Sequence, residues 1–154
     1  MSFSRNFYPM LTHLLSLFDR DLTLLAKEID LYTGDEALWK LAPGIANSGG
    51  TLVLHLCGNL RHYIGFQLGG IPYRRDRPAE FSLRDVPRAE LHALLDLARQ
   101  AVATLAQMDP ARFQETYPEE VLGGPLTVEF FLIHLYGHLR YHTGQVNYHR
   151  RLVA

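Results

Sequence analysis

The chain has one cysteine, Cys57, and so no means of closing an intramolecular disulfide. That fits a reducing cytoplasm and leaves the fold to its core. It also has no excess of either charge. A formal net charge of −1 excludes a global field that would favour nucleic acid or an anionic membrane surface. Long apolar runs are missing as well. The opening stretch MSFSRNFYPMLTHLLSLFDRDL is broken by His13, Asp19, Arg20 and Asp21, so neither a signal peptide nor a membrane span is expected there. No segment alternates with period two, none repeats, and none is of low complexity. What these absences leave is a soluble cytoplasmic protein. At 154 residues and 47% hydrophobic content, one domain over residues 1–154 can bury a core.

Helical periodicity fills that space. Phe7, Met10, Leu11, Leu14, Phe18, Leu22, Leu25 and Ile29 recur every three or four residues, predicting a helix from about Ser4 to Tyr32. TGDEALWKLAPGIANSGG reads as a loop, with Ser48 placed to cap a second helix from about Gly50 to Leu68. IPYRRDRPAEFSLRDVP, with three prolines, reads as too irregular for a helix. A third helix follows from about Arg88 to Met108, with Leu91, Leu94, Leu95, Ala98, Val102 and Leu105 inward. After the loop DPARFQETYPEEVLGGP, Pro125 suits the first turn of a fourth helix running to about Leu152. The fold class is all-α, a four-helix bundle whose long connections can cross it.

Histidine is what the chain has in quantity near its end, in HLYGHLRYHTGQVNYH, residues 134–149. His138 and His142 stand one turn apart, offset by about 40°, the i, i+4 spacing by which one helix offers two imidazoles to one ion. Phe130, Phe131, Ile133, Leu135 and Val146 surround them, and unpartnered imidazoles there would be costly. A third ligand must come from another helix. His55 and His62, in LVLHLCGNLRHYIG, share a face but lie about 10 Å apart along it, so only one can join. Spacing leaves the choice between them open. Cys57 points elsewhere and reads as a small buried hydrophobe. His13 and His92 read as surface residues. His149, beside Arg150 and Arg151, is explained by the helix C-terminus, and His134 reads as a support to the site or a packed core residue.

HLCGNLRHYIG on one helix and HLRYHTGQ on the last, preceded by NSGGTLVLHL and LWKLAPG, resemble the DinB-like superfamily of four-helix bundles. The likeness covers nearly the whole chain. It implies a divalent metal held by one histidine on the second long helix and two on the last. Carried over, these are His55, ahead of Gly58-Asn59-Leu60, and His138 and His142, ahead of Gly144-Gln145. It further implies up-down-down-up winding and a homodimer. Gly58, Gly137 and Gly144 each cost a helix about 1 kcal/mol relative to alanine, and Gly58 and Gly137 read as sites where the two helices approach closely.

Three neutral imidazoles leave an ion its full charge and an open position. Imidazole suits Zn, Ni, Fe and Cu, so the metal is not specified. The resemblance implies two chemistries for a small-molecule substrate: metal-dependent hydrolysis, or S-transfer with a low-molecular-weight thiol cosubstrate such as bacillithiol or mycothiol. S-transfer is favoured because no Asp or Glu shares the histidine face, although Glu119 or Glu120 could reach in from a loop. The alternative from another class is a non-catalytic bundle that binds a small ligand or holds a structural metal. Asn59 and Gln145 are candidates for orienting a bound ligand. Arg61, Arg140 and Tyr141 could bind an anionic group, and Trp39 with residues 72–77 could line a pocket, although the basic run in 72–77 reads as a solvated loop. The metal is expected near one end of the bundle, walled by the 69–87 and 109–124 loops.

Overall fold

The structure, a computed structural model, describes residues 9–154. Among these, four long helices are present: α1 (Pro9–Leu31), α3 (Gly49–Leu60), α5 (Arg88–Ala103) and α6 (Val128–Val153). Two short helices join them, α2 (Asp35–Trp39) before α3 and α4 (Arg77–Ser82) before α5. α3 continues as a π-helical turn, Arg61–Phe66, and α5 tightens into a 3₁₀ turn, Thr104–Gln107. Ser4 and Phe7, predicted at the head of the first helix, lie outside the described residues.

Contacts fix the winding. On α6, Arg140 reaches Asp21 of α1, and Asn147 and Arg150 reach Glu28, so α1 and α6 run parallel. Asp30 pairs with His92 and Asp19 with Arg99, so α5 runs against α1. His55 meets His138 and Tyr63 meets Phe131, so α3 runs against α6. The bundle is wound up-down-down-up.

The apolar stripes go where periodicity puts them. Leu11, Leu14, Phe18, Leu22, Leu25 and Ile29 of α1 are buried, whereas Met10 is exposed. α3 is different, because every residue from Gly49 to Leu60 is buried. A helix covered all round needs partners on all sides. α5 and α6 pack along it, and α2 and α4 cover the remainder.

Those two covers were misread as loop. α4 starts because the Asp76 carboxylate accepts the Ala79 N–H, while Pro78, in the first turn, gives up an N–H that has no intrahelical partner there. Proline marks a start here, not a break. α2 buries Trp39, whose Nε1–H donates to the Val86 carbonyl at 3.1 Å and whose ring lies so close to Gly50 that a Cβ there would stand 2.7 Å from it. Trp39 is a core residue whose edge also lines an open cavity beside Asp35, Lys40 and Asp85. Pro125 precedes α6 instead of opening it. Thr127 caps that helix by accepting the Phe130 N–H, and it forms an isolated antiparallel bridge with Thr116. Among the described residues, no helix is long and apolar enough to cross a membrane.

Candidate metal centre

His55, His138 and His142 come together at mid-length in the α3–α6 seam, not at an end of the bundle. One ring nitrogen from each lies within 4.8 Å of the other two. The Nε2 atoms of His55 and His138 are 3.1 Å apart. Two nitrogens bound tetrahedrally to one ion at about 2.0–2.1 Å stand roughly 3.3 Å apart, so the spacing is that of co-ligands. The three could hold a metal ion.

The supporting contacts orient two of the rings. Glu80 Oε1 lies 3.1 Å from His55 Nδ1, and Arg75 grips both oxygens of that carboxylate at 2.8 and 2.9 Å. Arg75 Nη2 also stands 3.4 Å from His55 Nδ1, but the shorter contact is to a group that can only accept. The Nδ1 atom therefore carries the proton, and the Nε2 lone pair faces the cluster. This is the carboxylate–histidine arrangement that orients a metal ligand. Gln145 Oε1 does the same for His142 Nδ1 at 2.6 Å. His138 Nδ1 is buried and has no partner among the described residues.

Electrostatics favour neutral imidazoles. Burial pushes His138 down to about 3, helped by the neighbouring His142 and His55. Burial also lowers His142, against the opposing hydrogen bond to Gln145. At Glu80, burial alone would raise the carboxyl, but the hydrogen bonds from His55 and Arg75 outweigh it and hold the group below its usual range. A lone-pair set of this kind beside a fixed carboxylate suits a divalent cation.

The remaining candidates fall elsewhere. His62 is not in the cluster; its Nε2 bonds Glu119 at 2.8 Å, so that acid serves His62, and Glu120 is exposed. The 69–87 connection does cover the site, through α4, whereas the 109–124 loop meets His62 and Tyr63 instead. Arg140 pairs with Asp21 on the far side of α6, and Arg61 lies over the Tyr73 ring at 4.0 Å. Tyr141 borders His142 but is mostly exposed. Cys57 is buried and its thiol is pushed up to about 12 by that burial, so it is no nucleophile. His134 is exposed, stacked on Phe131. His149 is buried, not held by the helix end: Nδ1 accepts from Gly49 N–H at 3.2 Å and faces Tyr32 Oη at 2.7 Å, and Nε2–H donates to the Lys40 carbonyl at 2.7 Å.

Two features escaped sequence reasoning. Arg75, in the basic run read as a solvated loop, and Glu80, in the connection read as too irregular for a helix, are both largely buried against His55. The available signal was Gly58. A Cβ there would run into the Glu80 carboxylate, standing 2.7 Å from Cδ, so the close approach this glycine permits is to Glu80 and not to α6. Gly137 and Gly144, by contrast, have nothing within 4 Å of where a Cβ would be. No curated protein matches the chain. The family model of the DinB superfamily matches residues 17–146, a span holding the four long helices in large part and all three clustered histidines. By that match, over most of its length, the chain belongs to the DinB superfamily.

Proposed function

We propose that the chain is a metal-dependent enzyme that uses His55, His138 and His142 as ligands and joins a low-molecular-weight thiol, through its sulfur, to a small-molecule acceptor. The observation that carries this reading is the commitment of Glu80. Both its oxygens are engaged by His55 and Arg75, so the acid beside the cluster is not free to act as a general base. Hydrolysis needs such a base for its water, while a thiol needs only a site that favours its ionised form. When bound, a divalent ion held by three neutral imidazoles keeps its charge and an open position, and so lowers the pKa of a thiol or water placed there.

The chain's own residues do the rest. Glu80 and Arg75 hold the His55 ring, Gln145 holds His142, and Phe81 stands over His55 with ring centroids 5.0 Å apart, excluding water from that side. Asn59 sits one turn along α3 from His55, and its Oδ1 is buried with no partner among the described residues. In this reading it accepts an N–H or O–H of the cosubstrate.

Cobalt-substituted protein titrated with bacillithiol, mycothiol or glutathione tests this. A thiolate-to-cobalt charge-transfer band is expected. A silent cobalt spectrum together with metal-dependent cleavage of an ester or amide would replace transfer with hydrolysis. If neither occurs, and His55→Ala alters stability alone, a binding bundle takes their place.

The chain is also proposed to pair with a second copy. Phe130, Ile133 and Tyr141 expose an apolar stripe along the outer face of α6; Gly137 lies within it and Gly144 one turn beyond, both at helical spacing with open space above. Such a face lets two helices approach closely. Sedimentation should show a dimer that Ile133→Glu converts to a monomer; a wild-type monomer would remove the proposal.

A further inference from the structure

The α3–α6 seam opens into a cavity of about 390 Å³ one turn past His142. Its apolar lining comes from Ile45, Leu52, Tyr148 and Leu152, and its polar lining from Asn47, Gln145 and His149. The volume lies in the range of small-molecule sites, roughly 300–1,000 Å³. No Lys, Arg, Asp or Glu contributes to the lining. A charged ligand would therefore lose its hydration without gaining a partner.

Three observations make this a built site and not a surface dent. First, its inner wall is rigid. Both ring nitrogens of His149 are bonded, and Gly49 is tied into the same network, where a Cβ would strike Tyr32 Oη and stand 3.0 Å from His149 Nδ1. Second, Tyr148 and Leu152 are 66% and 59% exposed at the rim, a largely apolar surface on which the Arg151 guanidinium lies 4.6 Å over the Tyr148 ring, outside the lining. Third, Gln145 belongs to both sites. It lines the cavity and holds His142 Nδ1 at 2.6 Å, so whatever fills the cavity lies beside the histidine cluster.

We propose that this cavity binds the second substrate, an uncharged and largely apolar small molecule with one hydrogen-bonding group facing Asn47 and Gln145. The inference rests on the thiol-transfer reading and names its acceptor. In that reaction the thiol sulfur forms the new bond to a carbon of this molecule. The leaving group departs with its electron pair, and the thiol proton passes to solvent.

The test uses N-phenyl-1-naphthylamine, a neutral apolar fluorophore with one N–H, and its sulfonated relative 8-anilinonaphthalene-1-sulfonate. The full chain is titrated with each, and metal content is measured on the same samples. The neutral probe should bind saturably at one site per chain, and the sulfonate at least about tenfold more weakly. Ala46→Trp, an exposed position on the cavity rim, should weaken the neutral probe about tenfold with the melting temperature unchanged. Leu152→Arg, also exposed, should do the same and replaces it if the first variant misfolds. No binding, equal binding of the two probes, or indifference to both variants would overturn the proposal. Metal uptake without probe binding removes the cavity's role alone; probe binding without metal uptake removes the metal centre and leaves the cavity as a ligand site.

Discussion

Helix α6 has two polar seams, and they are built to opposite standards. Facing α1, it closes over two buried carboxylates, and each is fully met. Asp21, 0% exposed, accepts from Arg20 at 2.9 Å and Arg140 at 3.2 Å; Glu28 accepts from Asn147 and Arg150, both at 2.7 Å. Facing α3, the seam is left incomplete. Among the described residues, the buried side-chain polar atoms without a partner are Asn59 Oδ1, His62 Nδ1 and His138 Nδ1, all on α3, its π turn or α6. Unmet polar atoms inside a fold cost about 1–3 kcal/mol each, and they gather where something outside the chain is meant to complete them. The first seam is closed by the chain's own groups; the second is not.

The largest effect should come from breaking the incomplete seam at its centre. His138→Ala removes one of three ligands, and its affinity for Zn is expected to fall by more than about 100-fold, measured by competition with a chromogenic chelator. The metal-free variant should melt near the wild type, since the seam contributes little without its ion. Equal metal affinity in the two proteins would move the site elsewhere.

Next come matched substitutions, one in each seam. Glu80→Gln keeps an acceptor for His55 but loses the charge, and should weaken metal binding about tenfold. Asp21→Asn should leave metal affinity alone and lower stability by about 2 kcal/mol, the scale of a lost charge-assisted hydrogen bond. Denaturant melts and metal titrations of both variants separate the two roles. A metal defect in Asp21→Asn would erase the distinction between the seams.

The long helices were legible because their stripes are. Leu11 through Ile29, and Leu91 through Leu105, repeat a pattern that only burial on one face explains. The histidines were legible as a pair from the i, i+4 spacing, and the choice of His55 over His62 came with the family likeness. The covers were not legible. α4 is six residues long, too short for periodicity, and Pro78 disguised a helix start. Glu80 reaches His55 from 25 positions away, a contact that no local pattern encodes. His149 looked like a helix-end cation because its partners, Tyr32, Lys40 and Gly49, lie 100 or more positions away.

pH sharpens the contrast further. In the folded chain His138 is held near 3, far below the 6.5 of a free imidazole, so the unfolded state binds the proton first. Stability present above about 6.5 is therefore lost as pH falls toward 3. Thermal melts of metal-free protein from neutral to acidic pH should show that decline, and His138→Leu should flatten it. A wild-type curve that is level from neutral pH down to about 4 would place His138 in a solvated setting.

The smallest effect is the most diagnostic of why Glu80 sits where it does. In the middle of a helix, Gly→Ala ordinarily stabilises by about 1 kcal/mol. At Gly58 the new methyl would collide with the Glu80 carboxylate, which Arg75 and His55 hold from the other side and cannot release cheaply. Gly58→Ala is therefore expected to destabilise by about 1 kcal/mol and to weaken metal binding, because the carboxylate must leave His55. Removing the obstacle should reverse the sign. With Glu80→Ala already in place, the nearest obstacles to that methyl, all atoms of the Glu80 side chain, are gone, and the same Gly58→Ala should stabilise, giving a coupling of about 2 kcal/mol between the two positions. A double-mutant cycle by urea unfolding measures it. Additive effects would mean that Gly58 is in α3 for tight helix packing alone, and that the carboxylate behind His55 is not held in place by the backbone beneath it.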